Sequence, residues 1–174
     1  MLLLISDANI LIDMEAGELM VTLFRLPMKF GIPDVLYVEE IEPDSPDLEV
    51  LGLAVMEVTS AFVDYALQLP GKYGEAPSRN DYLALALAKQ EACDLLTGDQ
   101  ALKAAAHGEG VKVMGTVWLL GEMVKNQLLS LEQALVALDL MKARKRRLPW
   151  TEAERLLREL WASLPDRIDG SSAH

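Results

Sequence analysis

At 174 residues and 51% hydrophobic, the chain has the length of one ordinary domain with a substantial core, and no apolar run reaches the roughly 18 residues of a membrane helix. The opening MLLLISDANILID lacks the basic start of a secretory signal, and a lone cysteine, Cys93, excludes an intrachain disulfide framework, so a reducing, cytoplasmic setting is expected. The net charge of −11 is uneven, with 8 Lys/Arg against 22 Asp/Glu in residues 1–141 and 8 against 5 in 142–174; such an acidic body disfavours sequence-independent adhesion to nucleic acid and suits a site that gathers divalent cations.

In chain order, Leu2 to Ser6 reads as an apolar strand ending at Asp7. A helix over about 9–24 follows, with Ile10, Leu11, Met14, Leu19, Leu23 and Phe24 as its apolar stripe and Gly17 as its weak point. A second strand, 28–32, stops at Pro33, which with Asp34 starts a short helix over 35–41 carrying Glu39 and Glu40 near its end. EPDSPD, 42–47, is an acidic loop, and a strand near 53–58 leads to a helix capped by Ser60 and running through Leu69. A Gly/Pro loop over 70–77 precedes the central stretch SRNDYLALALAKQEACDLLTGD. There Ser78 caps a helix of about 80–91 with Asp81 in its first turn, and 94–99 form a buried strand that stops at Gly98 and hands over through Asp99 to a helix over 100–107.

A strand at 111–114 and a helix at 117–126, bearing Trp118, complete an alternation of strand and helix with short loops. That order predicts an α/β chain, a mostly parallel sheet covered on both faces. Beyond it, Ser130 with Gln133 and Thr151 with Glu154 spell two capping-box starts, for helices over about 131–146 and 152–163 joined at Leu148-Pro149. The expected organisation is an α/β body over 1–128, a helical extension over 129–165 packed on it or on a second subunit, and a flexible tail over 166–174.

In a parallel sheet, Asp7, the turn holding Asp99 and the start of the helix carrying Asp81 converge on the edge formed by the strands' carboxyl ends, where ligands bind in open α/β sheets. Three clustered carboxylates repel one another unless a cation neutralises them or protons are retained. Oxygen ligands match Mg²⁺ or Mn²⁺, whereas zinc favours His and Cys, and His107 and His174 are the only histidines. Taken singly, Asp99 reads as a helix cap, Asp81 as a first-turn acid favoured by the helix dipole, and Asp7 as a loop or cap acid. Asp13, Glu15 and Asp94 read as solvated acids, and Trp118 as core or dimer interface.

Asp7 in SDANILID, an acid in VLYVEEI, Asp81 in SRNDYLALALA and Asp99 in LLTGD together resemble the PIN-domain family, over roughly residues 2–160. The segment VKVMGTVWLLGEMVKNQLLSLEQAL, followed by RLPW, resembles a bacterial and archaeal subgroup with extra C-terminal helices. The resemblance implies a three-layer α/β/α fold with Asp7, a glutamate, Asp81 and Asp99 holding Mg²⁺ or Mn²⁺ to hydrolyse single-stranded RNA. The glutamate falls on Glu39 by its spacing from Pro33, with Glu40 as the alternative. Thr97 resembles the family's Ser/Thr beside the site, and Asn9 is placed to orient Asp7 or a metal-bound water.

The basic run Lys142 to Arg147 has three readings: Arg144, Lys145, Arg146 and Arg147 guide RNA phosphates, contact the acidic body of a second subunit, or favour the carboxyl end of their helix. Many small PIN proteins are toxins of toxin–antitoxin pairs, so an antitoxin is one partner to look for; such toxins are usually shorter than this chain, and its extra helices are placed to do within the chain, or in an expected homodimer, what an antitoxin does elsewhere. A catalytically silent scaffold for dimerisation or partner binding is the rival reading. An aspartate-nucleophile phosphatase fits poorly, because Asn9 stands where the second carboxylate belongs.

Overall fold

Across residues 1–165, which the computed structural model describes, β1 (Leu2–Ser6), β2 (Met28–Pro33), β3 (Ala54–Met56), β4 (Asp94–Leu96) and β5 (Val113–Met114) pair in one wholly parallel sheet, ordered β3-β2-β1-β4-β5. The tail expected over 166–174 lies outside the described residues. β1 is central because Leu4 and Ile5 are buried with no exposed face, as a strand covered on both sides requires. From β1 the chain goes to β2 on one side and later returns to β4 on the other. The order therefore reverses between β1 and β4, the place where α/β sheets open a crevice.

Helices α1 (Ala8–Ala16), α2 (Met20–Leu23), α3 (Asp34–Leu36), α4 (Leu48–Leu51), α5 (Ser60–Tyr73), α6 (Arg79–Gln90), α7 (Gln100–Gly108), α8 (Thr116–Lys125), α9 (Leu131–Ala143) and α10 (Trp150–Ser163) complete a three-layer α/β/α fold with C-terminal helices. α6 is buried along its whole middle, Tyr82 through Ala88, so its alanines bring it close against the sheet. No helix among the described residues is long and apolar enough to cross a membrane.

Several expected boundaries shift for identifiable reasons. The helix expected over 9–24 divides into α1 and α2, because Gly17 caps α1 and Glu18 turns left-handed at φ 57°. A side chain at Gly17 would begin 2.6 Å from the Met141 Cε, so the break admits α9. α5 passes straight through Pro70 to Tyr73 instead of stopping at Leu69. Proline inside a helix forfeits a hydrogen bond, and here the extra turn carries Lys72 and Tyr73 to the Glu109 carboxylate, at 2.8 and 2.5 Å, beside Tyr65 at 2.6 Å. α10 begins at Trp150 behind Pro149, so the expected Thr151–Glu154 capping box does not form, whereas the Ser130–Gln133 box does. α4 also departs from expectation.

Three donors hold the Glu109 carboxyl well below its usual range, at about 2. A lowered carboxyl contributes stability above its unfolded value of 4.5, which is lost as pH falls toward 2. Glu109→Gln is expected to cost about 1–2 kcal/mol at neutral pH and to flatten the acid limb of the stability curve, as read by urea unfolding between pH 3 and 7.

The C-terminal extension packs on the body of its own chain. Ala134, Ala137, Leu138, Met141, Ala153 and Leu157 join the same core, α9 lying on α1, and α10 on α8 and α9.

Candidate functional site

The ladder between the two central strands builds the site. Ser6 pairs with Leu96, so one step further Asp7 lies beside Thr97, and the Asp7 N–H donates to the Leu96 carbonyl at 3.1 Å. The Thr97 hydroxyl donates to Asp7 Oδ2, and its oxygen accepts from the Asp99 N–H at 3.1 Å. One buried threonine thus joins the acids at the ends of β1 and β4. Asp7 Oδ1 caps α1 by accepting from the Ile10 N–H at 3.1 Å.

Asp7 is 0% exposed, and among the described residues no basic side chain is bonded to it. Burial pushes its carboxyl up to about 7, outweighing the two hydrogen bonds, and the charges of Asp81 and Asp13 push the same way. Asp81 is therefore near enough for its charge to act on Asp7. It sits in the first turn of α6 in a reciprocal box, with Ser78 Oγ accepting from its N–H at 3.1 Å and Asp81 Oδ2 accepting from the Ser78 N–H at 2.9 Å. Asp99 caps α7, its Oδ1 accepting from the Leu102 N–H at 2.8 Å.

Glu39 and Glu40 lie in a π-helical segment, Tyr37–Ile41, that continues α3. Such insertions widen one turn and recur at functional sites. Arg79 Nη2 donates to both Glu39 oxygens, at 2.7 and 2.8 Å, and Asn80 Nδ2 donates to Glu39 and to Glu40, each at 2.9 Å. The Asn80 and Arg79 donors hold the Glu39 carboxyl below its usual range. Both glutamates thus face one amide on α6, next to Asp81. Sequence reasoning passed over Arg79 and Asn80, although three polar residues in succession, Arg-Asn-Asp, on the first turn of an otherwise apolar helix were the signal.

The four acids occupy one edge of the sheet without forming a closed ligand cage. Among the described residues no three of His, Cys, Asp and Glu are gathered tightly enough to hold an ion. Each aspartate spends one oxygen on a backbone amide, while Asp81 Oδ1 and Asp99 Oδ2 accept no hydrogen bond among the described residues. The donor chemistry is nonetheless all oxygen, which fits a hard cation such as Mg²⁺ or Mn²⁺. Rotation of the outer carboxylates is needed to reach ligand distances of about 2.0–2.6 Å.

Two other expectations need correction. Asp13, expected as a solvated acid, is 6% exposed and bound by Arg146 Nε at 2.6 Å and by the Thr116 hydroxyl at 2.7 Å. Asn9 forms no hydrogen bond with Asp7 among the described residues; its side-chain oxygen accepts from Arg146 Nη2 at 3.3 Å. Within the basic run, Arg144 donates to the Ala16 carbonyl at 2.7 Å and Arg146 serves Asp13, so both are committed to α1. Lys145 and Arg147 are exposed.

Among curated proteins no match is found, whereas a family model described as PIN domain matches residues 3–161, from within β1 to near the end of α10, a span that holds all four acids. The chain belongs to the PIN-domain family and carries its nuclease-type fold.

Proposed function

We propose that the chain is a metal-dependent endoribonuclease that cleaves single-stranded RNA, with Asp7, Glu39, Asp81 and Asp99 as the residues that hold Mg²⁺ or Mn²⁺. The observation that carries the proposal is Asp7, a wholly buried carboxylate at the reversal point of the sheet with no basic partner among the described residues. Ionising such a group is costly without a cation beside it. A bound divalent ion supplies an acidified water and stabilises charge on the attacking and leaving oxygens. Thr97 holds Asp7 in register with Asp99, Asn80 holds the glutamates toward α6, and the helix caps aim Asp81 and Asp99. Glu40 shares the Asn80 contact and is the alternative fourth ligand. Lys145 and Arg147, exposed in an otherwise acidic chain, are the residues offered to RNA phosphates.

The reading extends to a toxin of a toxin–antitoxin pair, working as a homodimer and restrained by a separate antitoxin protein, as the family resemblance supports. The rival is a silent scaffold, favoured by the Arg79 grip on Glu39 and by the open arrangement of the acids.

Incubation of the full chain with an end-labelled single-stranded RNA and Mn²⁺ separates the two readings. Internal cleavage that stops with EDTA and slows at least about 10-fold in Asp99→Asn supports the ribonuclease. Mn²⁺ binding measured by calorimetry without any cleavage supports the scaffold.

A further inference from the structure

Beside the acids, α3, α5 and the start of α6 line an open cavity of about 660 Å³, a volume within the roughly 300–1,000 Å³ range of small-molecule sites. Val58, Val63, Leu67 and Leu83 give it apolar walls. It is continuous with the acidic edge, because Ser78 and Arg79 line it and bond directly to Asp81 and Glu39. Arg79 is the one basic residue in its lining among the described residues, and its side chain is 61% exposed. Asp34, Glu57 and Glu75 add carboxylates, which accept hydrogen bonds but donate none when ionised, and Asp34 spends one oxygen on the Val35 N–H.

Three chemical demands follow from that lining. The ligand needs an apolar, planar or compact body for the aliphatic slot, an anion for Arg79 at the end nearest the acids, and donors for the carboxylates. A nucleotide meets all three, with its base in the slot and its phosphate on the Nε and Nη1 donors of Arg79, since Nη2 is held by Glu39. Among the four RNA bases, guanine alone presents an imino N–H and an amino group side by side, so one carboxylate takes both. Adenine and cytosine offer only an amino group on that edge, and uracil only an imino group. A basic amphipathic peptide would also fill apolar walls with acids around them, but it would meet Arg79 with like charge.

We propose that this cavity is a base-binding subsite for an unpaired guanosine adjoining the scissile phosphate, with Arg79 on the phosphate of that nucleotide and Glu57 or Glu75 on the base. The assignment rests on the ribonuclease reading of the neighbouring acids, and its test is independent of turnover. Guanosine, adenosine, cytidine and uridine 5′-monophosphates are titrated into the full-length chain without metal, and methyl NMR follows Val63, Leu67 and Leu83. The expected result is tightest binding of the guanosine nucleotide, by about tenfold, the scale of one good bidentate pair, with shifts at those methyls. Arg79→Ala then weakens all four nucleotides alike, whereas the pair Glu57→Gln and Glu75→Gln removes the preference and keeps residual binding. All three positions are exposed, so the variants fold.

Equal binding of the four nucleotides, shifts at other methyls, or displacement of the guanosine nucleotide by a Leu/Lys amphipathic peptide at lower concentration overturns the subsite. RNA cleavage that ignores guanosine, with no nucleotide bound in the cavity, removes the subsite and leaves the ribonuclease standing. Selective guanosine binding by a chain that cleaves no RNA supports the cavity's ligand and removes the reading attached to it.

Discussion

Asp7→Asn is expected to stop metal-dependent RNA cleavage and, in the same protein, to remove a pH-dependent weakness in folding. The first effect should exceed the roughly 10–100-fold loss that follows when a group merely supporting a metal ligand is removed, because the proposed site is built around Asp7. The fold should survive, since asparagine caps a helix as well as aspartate and retains an oxygen for the Ile10 N–H. The second effect follows from the carboxyl lying at about 7 in the folded chain against an ordinary value of 3.8. Between those values the folded protein holds a proton that the unfolded chain has released, so stability falls as pH rises, and the loss is complete above about 7. A shift of that size corresponds to a few kcal/mol as an order of magnitude.

Urea unfolding in EDTA from pH 4.5 to 8.5 should therefore show wild type weakening across the window and Asp7→Asn holding nearly level. Mn²⁺ at pH 8 should restore the wild type and leave the variant unchanged, since only a ligand of the folded state adds stability. Parallel pH profiles for the two proteins would remove Asp7 from the centre of the account.

Arg146→Ala is the second large effect, and it falls on stability rather than on RNA. Its guanidinium is, among the described residues, the one charged partner of Asp13, which lies on the buried face of α1 with its other oxygen on Thr116. Removing one member of a buried pair leaves the other charge uncompensated, a loss of about 3–5 kcal/mol. The Nη2 contacts to the Asn9 carbonyl and side chain go too, so the C-terminal extension should loosen from α1. Thermal or urea unfolding of Arg146→Ala beside Lys145→Ala makes the comparison, because Lys145 is exposed and its loss should stay within about 0.5 kcal/mol. A small, equal loss in both would make the basic run a solvated face and leave Asp13 without a structural role.

These two residues also mark how far the sequence can be read. The parallel sheet was legible because apolar runs such as LLLIS and DLL alternate with amphipathic stretches and end at glycine, proline or a capping acid, all local signals. The positions of Asp7, Asp81 and Asp99 at helix starts were legible for the same reason, since a cap sets each direction. Asp13 was not, because in sequence it is one more acid on a helix, and its partner lies 133 residues further on. Nothing local distinguishes a solvated helix acid from one that a distant arginine covers. The same applies to Arg79, whose role depends on a π-helical turn that no spacing rule announces. Glu39 and Glu40 stay equivalent in one respect even in the folded chain, since the widened turn sends both to Asn80. Pro70 misled by being a helix breaker in a helix whose last turn is tied to Glu109.

The most direct measurement is anomalous scattering from crystals grown with Mn²⁺. The account predicts a manganese peak at the carboxyl edge of β1 and β4, about 2.0–2.6 Å from oxygens of Asp7, Asp99 and at least one of Asp81 and Glu39, with Arg79 withdrawn from Glu39. No peak there at saturating Mn²⁺, with each aspartate still engaged only by its own helix amide, contradicts it.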